Sequence, residues 1–162
     1  MPNWCEGCLK IRGKKENINR FISQNLAIVH GAFDYVEEIP LKFEFIDDYE
    51  IEFLNENIAK ESIYIRGTRR NFIELNDKYL DVDNKNDELI ICFENTRSAW
   101  SFDANALRTI SKKFDIDIKI YSFESGLQFN QDIEIIKGKI IKDECIEFQN
   151  YLWECINPIK GG

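Results

Sequence analysis

The sequence predicts an α+β domain, in which an antiparallel sheet is backed on one face by helices. Three observations point there. A period-two strand pattern at the start runs into a stretch with helical spacing, a second helix and strand follow one another near 101–120, and the interval between them is filled with short period-two segments.

Taken in order, Asn3 to Arg12 alternates as a first strand, with Trp4, Leu9 and Ile11 among its apolar members and Gly13 closing it. Lys14 to Val29 reads as a helix, because Ile18, Phe21, Ile22, Asn25, Leu26 and Val29 recur on one face. Between 41 and 54 the period becomes two. Leu41, Phe43 and Phe45 share one face of a strand, Tyr49, Ile51 and Phe53 share one face of the next, and Asp47-Asp48 supplies the turn of a hairpin. Ser62 to Arg70 and Glu88 to Asn95 read as two further strands joined through a polar loop at 81–87. Ser101 is a candidate N-cap, Asp103 suits the positive end of the helix that follows, and Ala106, Leu107, Ile110 and Phe114 form its core face. Ile116, Ile118 and Ile120 then alternate with polar residues as a half-buried strand. Leu127 to Ile136 and Lys139 to Lys142 form a last hairpin around Lys137-Gly138, and Cys145, Phe148, Leu152 and Cys155 mark a terminal helix.

This is the βαββαβ order of a ferredoxin-like antiparallel sheet, with an inserted hairpin and a C-terminal hairpin plus helix. Residues 1–162 are expected to form a single domain, with an insertion at about 30–61 and a C-terminal extension at about 127–158. The label refers to shape only. An iron–sulfur cluster needs about four suitably spaced thiolates, and the five cysteines here are dispersed.

A chain of 162 residues can bury roughly 70% of its unfolded surface, so it needs no disulfide scaffold. Its 44% hydrophobic and 31% charged content argues for an ordered, soluble domain. No run reaches the ~18 apolar residues of a membrane span, and the start lacks the pattern of a secretion signal, so a cytoplasmic setting is expected. Cys5-Glu6-Gly7-Cys8 has the spacing of a zinc or redox pair. It has no second matching pair and only one histidine, His30, to complete about four ligands, so no metal or other cofactor is expected and the thiols read as structural. Nucleophile elbows, phosphate loops and metal signatures are missing too, so the chain reads as a non-enzyme.

Several short segments occur together: Met1-Pro2-Asn3-Trp4-Cys5-Glu6, Phe33 to Pro40, Gly67-Thr68-Arg69-Arg70-Asn71, Glu94 to Ser101 and Glu124 to Phe129. In combination they resemble the uncharacterised proteins that carry a YubB-type ferredoxin-like domain and are spread by plasmids and phages. Three positions depart from that pattern. Gly7 replaces an asparagine, Arg70 an aromatic residue, and Phe102-Asp103 a proline pair. The resemblance implies a fold and a mobile-element setting in a bacterial host, and it implies no reaction.

The charge distribution is the least generic feature. From Glu37 to Glu61 nine acids face only Lys42 and Lys60, a net of −7 out of −8 for the whole chain. Alternate strand residues lie about 6.6 Å apart on one face, so Asp48, Glu50 and Glu52 are expected to form an acidic ladder, joined by Glu44 on the other strand. A polar outer face that discourages edge-to-edge pairing is one use for such a hairpin. The sharper use is contact with a basic protein. Combined with the resemblance, that implies an inhibitor of a bacterial defence effector such as a CRISPR nuclease, with Glu44, Asp48, Glu50 and Glu52 as its contact face. The alternative rests on Arg66, Arg69, Arg70 and Arg97 gripping phosphate while Trp100 stacks on a base, which would make a sponge or sensor for a nucleotide or cyclic oligonucleotide. Arginines that simply pair with the acidic excess would look the same in sequence. An overall pI near 4.8 disfavours direct binding of duplex nucleic acid.

Overall fold

The computed structural model describes residues 3–32 and 35–162; Met1-Pro2 and Phe33-Asp34, which contribute to the family resemblance, lie outside the described residues. The chain runs β1 (Trp4–Gly13), α1 (Lys15–Asn25), β2 (Leu26–Ala32), β3 (Tyr35–Pro40), β4 (Phe43–Phe45), β5 (Glu50–Phe53), β6 (Ser62–Ile65), β7 (Asn71–Glu74), β8 (Tyr79–Lys85), β9 (Glu88–Ala99), α2 (Ala104–Phe114), β10 (Asp117–Glu124), β11 (Phe129–Ile136), β12 (Lys139–Glu147) and α3 (Tyr151–Glu154). Among the described residues, no helix is long and apolar enough to cross a membrane.

The expected ferredoxin-like βαββαβ domain is not what forms. Among the described residues, twelve strands make one large antiparallel sheet, accompanied by three short α-helices and a 3-10 turn at Ile58–Lys60. Segments read as helix or loop have joined the sheet. Leu26 and Ile28 satisfy helical and period-two spacing alike, and they pair as strand with Ile65 and Ile63. The polar 81–87 loop is largely strand. Leu80 and Val82 point to the core, Asp81 and Asp83 point outward, and Asn86 (φ 54°) and Asp87 (φ 63°) make a two-residue turn with both φ positive, the form that matches hairpin twist. The terminal helix expected over 145–155 shrinks to Tyr151–Glu154, because Cys145 to Glu147 continue β12 against β11.

Down its centre the sheet runs β12-β11-β10-β1-β9, and at β9 it forks. Gly7 and Leu9 of β1 pair with Thr96 and Phe93, so β9 has one residue too many across from Cys8, at Glu94–Asn95. A bulge of this kind bends and twists its strand. Before it, β9 pairs with β8, which leads to β5 and β4; beyond it, the same edge of β9 pairs with β7, which leads to β6, β2 and β3.

Helices α1 and α2 cover one face. Leu9, Ile11, Ile91, Phe93, Ile118 and Ile120 are buried there, and Phe21 of α1 meets Phe114 of α2 edge to face at 5.8 Å. Asp103, two residues after the expected cap Ser101, caps α2 by accepting from Asn105 N at 2.8 Å. Gly7 sits where β10 comes closest to β1, and a Cβ on it would lie 2.2 Å from Tyr121 O. That contact leaves no room for a side chain such as asparagine at this position. The opposite face of the sheet carries the polar, aromatic and charged groups.

Candidate functional site

On the arm made of β8, β5 and β4, strand register decides which acids meet. Glu44 is directly opposite Glu52, Glu50 is opposite Asp81, and Glu52 is also opposite Tyr79. Cross-strand partners share a face, so these carboxylates stand together on the open side. Ile51, Phe53, Leu80 and Val82 fill the buried side. Of the four residues expected to form the acidic contact, Glu44, Glu50 and Glu52 are thus brought together. Asp48 is not in the ladder. It lies in the bend before β5, where Asp47 Oδ1 accepts from Tyr49 N at 2.7 Å, and it pairs with Lys15 Nζ at 3.2 Å. Tyr49, expected in the core, is 65% exposed for the same reason.

The face continues into the fork. A cleft of about 610 Å³ opens there, lined by the carboxylates of Glu74, Asp77, Asp81, Asp83 and Glu94 with Lys10 among them. Glu52 takes an ion pair from Lys78, while among the described residues Glu44 and Glu50 have no ion-pair partner. No three His, Cys, Asp or Glu side chains among the described residues converge as a metal-holding group, so the carboxylates form a spread anionic surface. Asp81 and Asp83 were hidden in sequence because their segment reads as a polar loop. The signal was the alternation of Leu80 and Val82 with acids.

The other arm, β7-β6-β2-β3, has a different open face. Arg97 lies over the ring of Trp4 at 4.8 Å, pairs with Glu74 at 2.6 Å and donates to Ser62 Oγ at 3.4 Å. Arg70 lies 5.7 Å from the same ring, and Trp4, Phe72 and Tyr64 make an aromatic row, edge-on at 6.2 Å between the first two and tilted at 5.8 Å between the last two. Arg66 pairs with Glu38 at 2.7 Å and donates to Gln24 O at 2.9 Å. Arg69 is exposed, and Trp100, 49% exposed at φ 73°, is tied through its backbone N to Asn3 O. Arg97 stacks on Trp4, a partner that sequence spacing did not identify. His30 hydrogen-bonds Glu61 at 2.7 Å.

Cys5 and Cys8 illustrate why spacing needs a structural context. In a strand, positions three apart point to opposite faces. Cys5 is buried on the helix side, where it donates to Ser122 Oγ at 3.1 Å and burial pushes its thiol up to about 12. Cys8 is on the open side near Cys92, and that neighbouring thiol, with help from Lys10 and Lys160, holds it below the ordinary range. The two residues of the motif therefore cannot close on one ion. No family model, curated protein or solved structure matches the chain, so the function has to be read from this geometry.

Proposed function

We propose that the chain is a non-enzymatic binding protein of phage or plasmid type. In this reading its acidic arm and cleft dock on the basic, nucleic-acid-contacting surface of a bacterial defence effector, such as a CRISPR nuclease, and occlude it. The cytoplasm of a bacterial host is the matching setting. One observation supports this most. Glu44 meets Glu52 and Glu50 meets Asp81 across the strands as like-charge pairs, and although Lys78 pairs with Glu52, the acids Glu44, Glu50 and Asp81 have no ion-pair partner among the described residues. Such pairs cost a few tenths of a kcal/mol each, and a purely solvating face would be served as well by mixed charge. A concentrated anionic surface instead raises the encounter rate with a cationic site. The nucleotide reading is weaker, because Glu38 and Glu74 already neutralise Arg66 and Arg97.

The test is binding to purified CRISPR nucleases over a salt series, with and without bound guide nucleic acid. Attachment that weakens as salt rises, competes with nucleic acid and drops at least tenfold in a Glu44→Lys, Glu50→Lys double variant supports the reading. Equal affinity of the variant would sink it.

A further inference from the structure

We infer that Cys8 and Cys92 form a thiol–disulfide exchange site, at which a small disulfide of the glutathione class is reduced and a cross-strand bridge closes between β1 and β9. Register places the pair. Lys10 is opposite Cys92, so Cys8, two residues away on the same face of β1, is its diagonal neighbour, and both are half-buried on the open side. The bulge at Glu94–Asn95 falls across from Cys8 and bends β9 at this point. Each thiol acts on the titration of the other. The other charged groups that act on Cys8 are Lys10 and Lys160, which favour its thiolate, and Glu94, which opposes it. Cys92 also lines the acidic cleft, so the site has an approach from solvent.

In the first step Cys8 Sγ, as thiolate, attacks one sulfur of glutathione disulfide; that S–S bond breaks and one glutathione leaves as thiolate. Cys92 Sγ then loses its proton and attacks Cys8 Sγ, and the second glutathione leaves. Two protein thiols are oxidised to one disulfide, the small disulfide is reduced to two thiols, and the protons released on the protein are taken up by the two departing thiolates. Cys92 lines the cleft assigned to docking, but no step of the exchange needs a protein partner, so the thiol site stands whether or not one binds.

Cys145 is the internal control. It is exposed, and desolvation with Glu147 and Asp143 holds its thiol above the ordinary range. The lowered titration of Cys8 favours its thiolate, and the raised titration of Cys145 disfavours that one. Even with the lower nucleophilicity of a more acidic thiol, Cys8 should exchange faster than Cys145. The experiment treats the full chain with glutathione disulfide and maps products by mass spectrometry. A Cys8–Cys92 peptide reversed by dithiothreitol is expected, along with a trapped glutathione on Cys8 in Cys92→Ser and loss of the bridge in Cys8→Ser. Cys8 and Cys145 reacting at equal rates, or a bridge between other cysteines in the wild-type chain, would overturn the assignment without touching the binding proposal.

Discussion

Both arms spring from one edge of β9, yet their open faces are built on opposite electrostatic plans. On the β7-β6-β2-β3 arm Arg66 is matched with Glu38, Arg97 with Glu74, and Trp4 receives Arg97 and Arg70 on its ring. On the β8-β5-β4 arm, Glu44 faces Glu52 and Glu50 faces Asp81. The first arm matches Arg66 and Arg97 with acids of its own, and such matching is what stability alone selects. The second pairs Glu52 with Lys78 and Asp83 with Lys85 but leaves Glu44, Glu50 and Asp81 without an ion-pair partner among the described residues, and a cationic partner is what would complete it. A charged residue in this chain is therefore informative about function according to its cross-strand neighbour, more than according to its own type.

The comparison can be broken most forcibly at the root that both arms share. Gly7→Ala puts a Cβ against Tyr121 O and Ser122, with no flexible group to yield. Overpacking of this kind costs about 1–3 kcal/mol, and thermal melting should show Tm falling by roughly 2–12 °C. Next comes the sign difference between the arms. Arg97→Ala removes an ion pair and a stacked guanidinium, and urea denaturation should show a loss of about 1–2 kcal/mol. Glu50→Gln relieves its repulsion with Asp81 and should leave stability unchanged or raise it by up to about 0.5 kcal/mol. If both substitutions destabilise equally, the contrast between the arms is wrong. The smallest effect expected is in calorimetry with nucleotides and cyclic oligonucleotides, where no heat should appear and an Arg69→Ala, Arg70→Ala double variant should match the wild type. Heat that disappears in that variant would restore the arginine reading.

Strands whose period was unambiguous could be read from sequence. The first strand, the strand at Ile118–Ile120 and the two strands of the 41–54 hairpin all lie close to where alternation places them. The helix at Lys15–Asn25 was visible as well, but its end was not, because Leu26 and Ile28 fit both periods and only pairing with Ile65 and Ile63 decides between them. The overall architecture departs from the βαββαβ expectation because β7 is only four residues long and β8 alternates its apolar residues with acids. Their partners lie on β9, and a single-sequence pattern contains nothing about which distant strand completes a pair. The same reason explains the site. Glu44, Glu50 and Glu52 were legible from alternation within one hairpin, whereas Asp81, Asp83 and Glu94 join them only through long-range register.

The position of β1 has a consequence for how the molecule is made. Its neighbours on the two sides are β9 and β10, and Trp4 pairs with Ala99. A ribosome adding about 5–20 residues per second needs roughly 5–20 s to bring the partner out after the opening segment has emerged. During that interval the apolar side of β1 waits without its flanking strands, so nascent chains stalled between β1 and β9 should be the species that chaperones hold and proteases clear.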